Sequence, residues 1–262
     1  MTTTAFKCTL GLAVIGLLAL GNLSGRAQGD SGVYAGAWVT EKVITRKAKP
    51  DRVHQPSTSG GTKKGPPPVA QREKVRLLTI QWRVLKQEAG GKAVEVNPES
   101  TFYTGDRVRF AVKVNQNGYL YIIQDTEGDE GATIFPDAHI NGGDNFVKKD
   151  VEYVLPFNCD EEHKDDCWFL MEPPDGREAV TVIFSRDKIS SLPNDAEQAK
   201  TLIKKQTISS IKDSSPAPVR DNRPKSLGAG RFVTWVSNTN VKDNEELVST
   251  FYLTHSAPKK NN

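Results

Sequence analysis

The sequence predicts an all-β fold: an antiparallel β-sandwich, immunoglobulin-like or barrel-like, with one peripheral helix near the C terminus and a disordered linker. Short segments in which every second residue is apolar recur along the chain, and this is the period of a half-buried strand. Turn-forming residues separate these segments at short intervals, as in antiparallel sandwiches and barrels. A stretch rich in proline and lysine interrupts the pattern and predicts the linker.

The first 27 residues have the layout of a secretory signal peptide. Lys7 precedes an apolar run of 13 residues, 8–20, and the small residues Gly25 and Ala27 follow it. A membrane-spanning helix needs roughly 20 apolar residues, so a retained anchor is the weaker alternative. We therefore expect cleavage between Ala27 and Gln28, no membrane span after cleavage, and a secreted, periplasmic or cell-envelope location.

Changes in composition divide the rest of the chain. Residues 47–74 combine prolines, a Ser/Gly-rich stretch and lysines, and such a segment cannot bury enough apolar surface to offset its ordering entropy. Whether residues 31–46 add one strand stays open. The predicted units are the N-terminal segment with the linker (28–74), the sandwich (75–190), a helix, loose connector and two strands that pack back on it (191–256), and a disordered tail (257–262).

The charge balance gives no support to a nucleic-acid-binding function. Cleavage would remove Lys7 and Arg26 and no acidic residue, so the 35 basic residues would fall to 33 against 32 acidic ones. Proteins that bind nucleic acid usually concentrate basic residues on one surface. We expect no nucleic-acid partner.

The sandwich begins with an alternating segment at 78–84, and Val94 and Val96 follow after a glycine turn. Residues 104–124 then predict two strands joined by a hairpin, with the sequence TGDRVRFAVKVNQNGYLYIIQ. The turn falls at 115–118, because Asn and Gly tolerate positive φ. The second strand, 119–123, is apolar or aromatic on both faces, which predicts a central strand covered on both sides.

The later elements follow from the same patterns. Further strands are predicted at 132–135, 147–155, 167–171, 179–185, 232–236 and 247–253. We expect 147–155 and the strand that starts at Trp168 to be hairpin neighbours. One helix is predicted over 195–211, where Asn194 would be the N-cap and Glu197 would complete a capping box.

Two acidic segments invite a metal-binding interpretation that their spacing does not support. In the loop 125–131, an EF-hand would need Gly at position six and an acid at position twelve, where Glu130 and Pro136 stand. A solvated hairpin loop is favoured there. Segment 159–167 holds His163 and two thiols but has neither C-x-x-C nor H-E-x-x-H spacing. We assign no metal site and no cofactor.

No catalytic motif is recognisable either. The chain has no G-x-S-x-G sequence, and His54, His139, His163 and His255 fall in the predicted linker, two loops and the C-terminal end. A triad or a pair of carboxylates assembled by folding stays open, because such sites are recognised by geometry rather than spacing. We assign no catalytic residue and no cofactor-binding residue.

Cysteine use agrees with export. Cys8 would leave with the signal peptide, so Cys159 and Cys167 would remain. An even pair in an oxidising compartment predicts a disulfide rather than a catalytic thiol.

Three blocks of the sequence resemble domain-of-unknown-function family 4384: TFYTGDRVRFAVKVNQNGYLYIIQ, TIFPDAHINGGDNFVKKDVEYVLP and WFLMEPPDGREAVTVIFSR. The resemblance covers roughly residues 76–186. It implies an exported or envelope protein of bacteria, and it supplies no catalytic residues. One departure is the segment between Pro156 and Trp168, which looks longer than usual and contains both cysteines.

Two hypotheses for function follow from the sequence. The first is an exported, non-enzymatic β-sandwich module that interacts with an envelope protein or polysaccharide, neither of which the sequence identifies. The alternative is a hydrolase, either a peptidase or a glycosidase, whose site is assembled from loops. The first is favoured because no catalytic pattern is recognisable.

The predicted disulfide can be tested by replacing both Cys159 and Cys167 with serine. Closing so short a loop contributes on the order of 2.5 kcal/mol in the chain-entropy model. We expect the melting temperature to fall by several degrees while the β-sheet circular dichroism stays the same. Free thiols that titrate in the native protein, or tight stoichiometric zinc, would contradict the predicted bond.

Overall fold

A computed structural model describes residues 41–46, 71–125, 129–157, 166–215, 225–238 and 246–257 of the chain. Of residues 41–46 and 71–76 it describes the backbone only. The predicted cleavage residues Ala27 and Gln28, most of the predicted linker, and Cys159 lie outside the described residues. The signal-peptide, linker and disulfide assignments therefore stay predictions.

The described residues form sixteen strands, one α-helix and two short 3-10 turns, Asn141–Gly143 and Gln198–Lys200. The strands are β1 Glu41–Arg46, β2 Gln71–Arg76, β3 Thr79–Gln87, β4 Ala93–Val96, β5 Thr101–Tyr103, β6 Arg107–Val114, β7 Gly118–Asp125, β8 Glu130–Phe135, β9 Phe146–Val147, β10 Glu152–Leu155, β11 Phe169–Leu170, β12 Gly176–Ser185, β13 Ile203–Lys204, β14 Lys225–Gly228, β15 Arg231–Ser237 and β16 Leu247–Ser256. The helix, α1, is Lys205–Ser214.

These strands form a two-stranded sheet and two seven-stranded sheets. Strands β1 and β2 pair with each other. The first large sheet has the order β10-β6-β3-β15-β14, with β11 beside β6 and β4 beside β3. The second has the order β13-β8-β7-β12-β16-β5, with β9 beside β7. All the pairings are antiparallel except that of β5 with β16, and neither large sheet closes into a barrel within the described chain.

A core of apolar side chains lies between the two large sheets and confirms the predicted sandwich. Trp82 of β3 is fully buried, and its ring stacks on Phe251 of β16 at 4.7 Å between centroids and 5° between planes. Phe110 of β6 covers it at 4.6 Å. Stacked aromatic pairs add about 0.5–1.5 kcal/mol to the contribution of burial. These contacts fix how the two sheets face each other.

The helix covers the other side of the second sheet. Ile208 and Ile211 of α1 pack with Tyr121 and Ile123 of β7 and with Ile183 of β12 in a second buried cluster. Leu120 and Ile122, on the opposite face of β7, belong to the main core. The prediction that residues 119–123 form a central strand covered on both sides is thus confirmed.

The predicted hairpin at 115–118 is wrong. Strand β6 lies in the first large sheet and β7 in the second, so the turn carries the chain across the core instead of reversing it within one sheet. Both strands direct apolar side chains into the same core, and a crossover satisfies that pattern as well as a hairpin does. The Asn115 side chain stabilises this crossover between the sheets. It accepts a hydrogen bond from Thr79 N–H at 2.8 Å and donates one to the Leu77 carbonyl at 2.7 Å.

The predicted pairing of 147–155 with the strand at Trp168 is also wrong. Strand β10 pairs with β6 at Phe110–Lys113, and β11 pairs with β6 at Arg107–Val108. The two therefore follow one another along the same edge of β6. The predicted Cys159–Cys167 bond therefore cannot be argued from the distance between paired residues of a hairpin, and the bond itself stays a prediction.

The single helix is confirmed, but its predicted start is wrong. Residues 198–200 form one 3-10 turn, and α1 begins only at Lys205. Asn194 caps no helix, because its side chain accepts from the Tyr121 hydroxyl at 2.8 Å and donates to the Leu192 carbonyl at 2.8 Å. This tertiary contact outweighs the local capping pattern.

Other local predictions are confirmed. Strands β7 and β8 pair on either side of the acidic loop, as expected of a hairpin. Gly142 and Gly143 have positive φ in a tight turn. The open question about residues 31–46 has a partial answer, because β1 occupies 41–46 and pairs with β2.

Gly118 is required by space rather than by a positive φ. A Cβ at this position would overlap the carbonyl oxygen of Ser185 and lie 2.8 Å from Cε2 of Phe184. The backbone of β7 therefore approaches β12 so closely that only glycine fits. At Gly176, by contrast, a Cβ would meet nothing within 4 Å.

We expect Gly118→Ala to lower the free energy of unfolding by about 1–3 kcal/mol, the usual cost of overpacking. Gly176→Ala is the matched control and should be neutral or slightly stabilising, because alanine reduces the freedom of the unfolded chain. Urea denaturation of both variants measures the difference. Equal midpoints for the two variants would contradict the close approach.

Candidate functional site

An exposed patch lies on the outer face of the second large sheet. It is at the end of β12 and β16 that helix α1 does not cover. We call it the Tyr252 patch and define it by Tyr252 and Thr254 of β16, Arg177 of β12, and Thr101 and Tyr103 of β5. The strand registers place these residues on one face, since Thr254 pairs with both Arg177 and Thr101. Val248, on the same face of β16, lies under the helix instead.

Tyr252 is the central residue of the patch. Its side chain is 45% exposed although it sits in the middle of a paired strand. The guanidinium carbon of Arg177 lies 3.6 Å from the centre of its ring. A cation over an exposed aromatic face contributes about 0.5–1 kcal/mol and restricts both side chains. The contact therefore favours this orientation of the Tyr252 ring.

The positive charge of Arg177 is not balanced by an acidic side chain among the described residues. Within the described part of the chain no carboxylate forms an ion pair with it. Beside Tyr252, the hydroxyls of Thr181 and Thr250 bond each other at 3.1 Å across β12 and β16. The patch thus combines a flat ring, a cation and hydroxyl groups on a regular sheet, and tyrosine and arginine are among the residues that dominate binding interfaces.

A buried polar cluster lies on the core side of the same strand ends. Gln124 donates to Glu178 at 3.2 Å, and the Thr104 hydroxyl and His255 Nε2 are 3.1 Å apart. His255 is 2% exposed and Glu178 is 9% exposed. Three strands of one sheet, β7, β12 and β16, position this cluster.

Burial changes the acidity of this cluster. Removal from water raises the pKa of Glu178 above its ordinary value, while the hydrogen bond from Gln124 and the nearby His255 pull the pKa down. Desolvation is the largest of these effects, as expected for a carboxyl group inside a protein. Folding therefore makes the carboxyl group of Glu178 a weaker acid, with a pKa above that of an exposed glutamate.

The cluster contains a hydroxyl, an imidazole and a carboxyl group, but it does not form a relay. In a working triad the carboxylate accepts from Nδ1 of the histidine. Here Nδ1 of His255 is buried without a hydrogen-bond partner among the described residues, and Glu178 accepts from Gln124. Both groups are also shielded from solvent, so a substrate could reach them only if the strand ends moved.

Two further charged groups belong to the outer face of the first large sheet. Arg83 bridges Glu95, at 2.7 Å, and Glu152. Arg109 donates to the carbonyl of Phe157 and lies over the ring of Trp168 at 4.9 Å. Burial lowers the pKa of Arg109 to about 10, so the guanidinium stays charged at neutral pH. These contacts join neighbouring strands and loops, and we interpret them as structural.

The structure locates only part of the predicted site. Cys167 is fully buried and packs with Phe157 and Trp168. Its predicted partner, Cys159, and the cleavage residues Ala27 and Gln28 lie outside the described residues, so the disulfide pairing and the cleavage site stay predictions. Across the described ranges, no group of three or more His, Cys, Asp or Glu residues could hold a metal ion. Nor does any helix in those ranges have the length and apolarity to cross a membrane.

The sequence pattern places His255 at the C-terminal end, after the predicted strand 247–253, and does not identify the buried cluster. A signal was present. Gln124, Glu178 and His255 each continue a row of alternate apolar residues on its strand, such as Phe251 and Leu253 before His255. A polar residue at the end of each of three such rows faces the core, and together the three indicate a shared buried cluster.

Replacement of Glu178 by Gln tests the raised pKa. Below the ordinary glutamate pKa the carboxyl is neutral in both states, so the two proteins should have similar free energies of unfolding. As the pH rises through the raised folded pKa, the wild type must ionise a buried group and loses stability relative to the variant. We expect Glu178→Gln to become the more stable protein at neutral pH, as measured by urea denaturation across pH 3–8.

The exposed Glu99 offers a control, because Glu99→Gln removes a carboxylate without burial. Its stability difference from the wild type should change little with pH. If Glu178→Gln shows the same flat profile as Glu99→Gln, the desolvation of Glu178 is contradicted.

Comparison with known proteins gives a match to one family model over part of the chain, and that match supplies no function. No curated protein and no solved structure matches the chain. The matching family model is described as "Domain of unknown function (DUF4384)", and the match begins at β5 and ends just after β12. It is shorter than the resemblance expected from sequence, because β3 and β4 are not included. Residues 101–188 of this chain are a match to the domain-of-unknown-function family DUF4384.

Proposed function

We propose that the protein is an exported, non-enzymatic β-sandwich module of the bacterial cell envelope, and that it binds a protein or polysaccharide partner through the Tyr252 patch. The observation that carries the proposal is the state of Tyr252: 45% exposed, in the middle of a regular strand, with Arg177 over its ring. Tyrosine presents an apolar ring with a polar tip, and tyrosine and arginine are enriched among the residues that anchor binding interfaces.

Export is supported by the sequence alone. Lys7, the apolar run 8–20 and the small residues before Gln28 have the pattern of a cleaved signal peptide. The expectation attached to the resembled family, an exported or envelope location, agrees with that pattern. A secreted or periplasmic module with no span of its own would meet its partner outside the cytoplasm.

The burial of the titratable pair supports a non-enzymatic role. General acid–base catalysis needs groups within hydrogen-bond reach of a substrate. Glu178 and His255 lie under strand ends instead, 9% and 2% exposed. The patch above them offers a ring, a cation and hydroxyls, and this chemistry suits recognition better than bond cleavage.

One observation favours the alternative function, a hydrolase. The Thr104 hydroxyl and His255 Nε2 are 3.1 Å apart, which is the distance of a nucleophile and its general base. Movement of the short strand β5 would be needed to open this pair to a peptide or glycoside substrate.

The proposed function can be tested by photo-crosslinking in cells that export the protein. A photoreactive amino acid at the exposed position 254 should capture the partner. We expect Tyr252→Ala to reduce capture at least about fivefold, because loss of a central aromatic contact typically costs more than 1 kcal/mol of binding. The melting temperature should hardly change, since the side chain is exposed.

Leu227→Ala is the matched control, because Leu227 is 43% exposed and lies in the other large sheet. It should leave capture unchanged. Equal capture by the wild type and Tyr252→Ala would overturn the assignment of the patch. Reproducible turnover of peptide or glycoside substrates by the purified protein, lost in His255→Gln, would instead support the hydrolase.

A further inference from the structure

Strand β16 has an open edge beside the Tyr252 patch. On one side it pairs with β12 along almost its whole length, from Leu247 to His255. On the other side it pairs with β5 only at residues 254–256. The stretch 248–252 therefore has no strand on that side within the described chain.

The backbone groups that face this edge can be identified by alternation. The Ser256 carbonyl accepts from Thr104 N–H at 3.1 Å, so the backbone of Ser256 points away from β12. Successive residues of a strand direct their N–H and C=O groups to opposite sides. The backbone N–H and C=O groups of Val248, Thr250 and Tyr252 consequently point to the open side. The backbone groups of Ser249 and Phe251 point to β12.

A second hydrogen bond in another strand leads to the same assignment. Leu120 N–H donates to the Asn145 carbonyl at 3.0 Å, on the side of β7 opposite to β12. By alternation, the backbone groups of Tyr121 then bond to those of its partner Ile183 in β12. The backbone groups of the next residue, Val182, therefore face Ser249 in β16. Thr250 is left facing outward, as the first argument requires.

Among the described residues, the open edge shows none of the features that usually prevent strand addition. Natural edges carry lysine, proline, a bulge or a covering loop. Here the sequence is Val-Ser-Thr-Phe-Tyr, and its pairing with β12 has no irregularity. β-Branched and aromatic residues favour strand pairing. Five residues provide a slot of about 17 Å, bounded at one end by β5.

The chemistry of the edge selects a polypeptide as its occupant. Donors and acceptors that repeat every second residue, about 6.8 Å apart, match the backbone of an extended chain. A polysaccharide has no such alternating amide groups. Tyr252 borders the slot, and the Arg177 guanidinium over its ring forms no ion pair with a described carboxylate, so an acidic side chain near Tyr252 would complement it.

A second copy of the chain fits this slot less well. In a twofold antiparallel pairing centred on Thr250, residue 246 of the second copy would lie opposite residue 254 of the first. Strand β5 already occupies that place. A single extended segment meets no such obstruction.

We propose that the open edge of β16 is a β-augmentation site, which receives an extended, acidic segment of a partner protein as an added strand. This proposal rests on the proposed interaction function and commits it to a protein rather than a polysaccharide. The added strand would take its affinity from the backbone of residues 248–252 and its specificity from Tyr252 and Arg177.

N-methylated peptides provide the decisive test. The probe is a bead library of acetylated, amidated seven-residue peptides, each with one aspartate, and binders are remade with single N-methyl groups. Methylation at every second position should weaken binding at least about tenfold, because it removes a backbone hydrogen bond to β16 and adds a clash. Methylation at the intervening positions, which face solvent, should change affinity less than about threefold.

Amide hydrogen exchange gives an independent measurement. In the free protein the amides of Val248, Thr250 and Tyr252 should exchange faster than those of Ser249 and Phe251, and bound peptide should slow them. Thr250→Pro removes the central edge donor at a position where proline is tolerated, and it should abolish peptide binding. Thr181→Val is the matched control: it loses the same hydroxyl contact and should bind the peptide as the wild type does.

The outcomes separate this proposal from the proposed function. Methylation effects without alternation, or slow exchange at all five amides in the free protein, would overturn the edge site and leave the Tyr252 patch standing. Concentration-dependent protection without peptide would identify a second copy as the occupant and also overturn it. No binder from the library would overturn the protein-segment proposal, whereas loss of capture in Tyr252→Ala would still support the patch.

Discussion

The stack of Phe110, Trp82 and Phe251 is the interaction on which the rest of the structure depends. Trp82 lies in the first large sheet and Phe251 in the second, with nearly parallel rings 4.7 Å apart. A contact this close between two sheets sets their separation and the position of β16 along the sandwich. Because β16 alternates strictly, fixing Phe251 in the core places Tyr252 on the outer face and His255 in the buried cluster. One aromatic contact thus determines the two features considered for function.

The sequence predicted the layers of this fold better than its connections. The alternation in β3, β6 and β12 identifies a buried face, and the two-sided apolar pattern of 119–123 identifies a central strand. Such patterns state which face is buried but not which strand is the neighbour. For this reason the sequence pattern predicts a hairpin where the chain crosses between sheets at Asn115, and it predicts β10 and β11 to be neighbours although each pairs with β6. The helix start was displaced because the capping pattern at Asn194 is local, whereas its bond with Tyr121 is tertiary.

The candidate site depends even more on non-local structure. That Glu178 and His255 are buried follows from their phase with apolar neighbours, so this part could be predicted from the sequence. The exposure of Tyr252 could not, because it depends on where α1 stops covering the second sheet. The open edge depends on the length of β5, which pairs at only three residues. The pattern of apolar and polar residues states neither how far α1 covers the sheet nor how far β5 pairs with β16. The sequence of residues 248–252 does show that the edge contains no lysine or proline.

The family match and the sheet order have a practical consequence for work on protein fragments. Residues 101–188 include β6, β7 and β12, but the strands that flank them in the two sheets, β3 and β16, are supplied from either side of the matched segment. A fragment cut at the limits of the family match would lack Trp82 and Phe251 and would leave both sheets incomplete. The unit for expression is therefore longer than the matched segment and extends from β3 through β16.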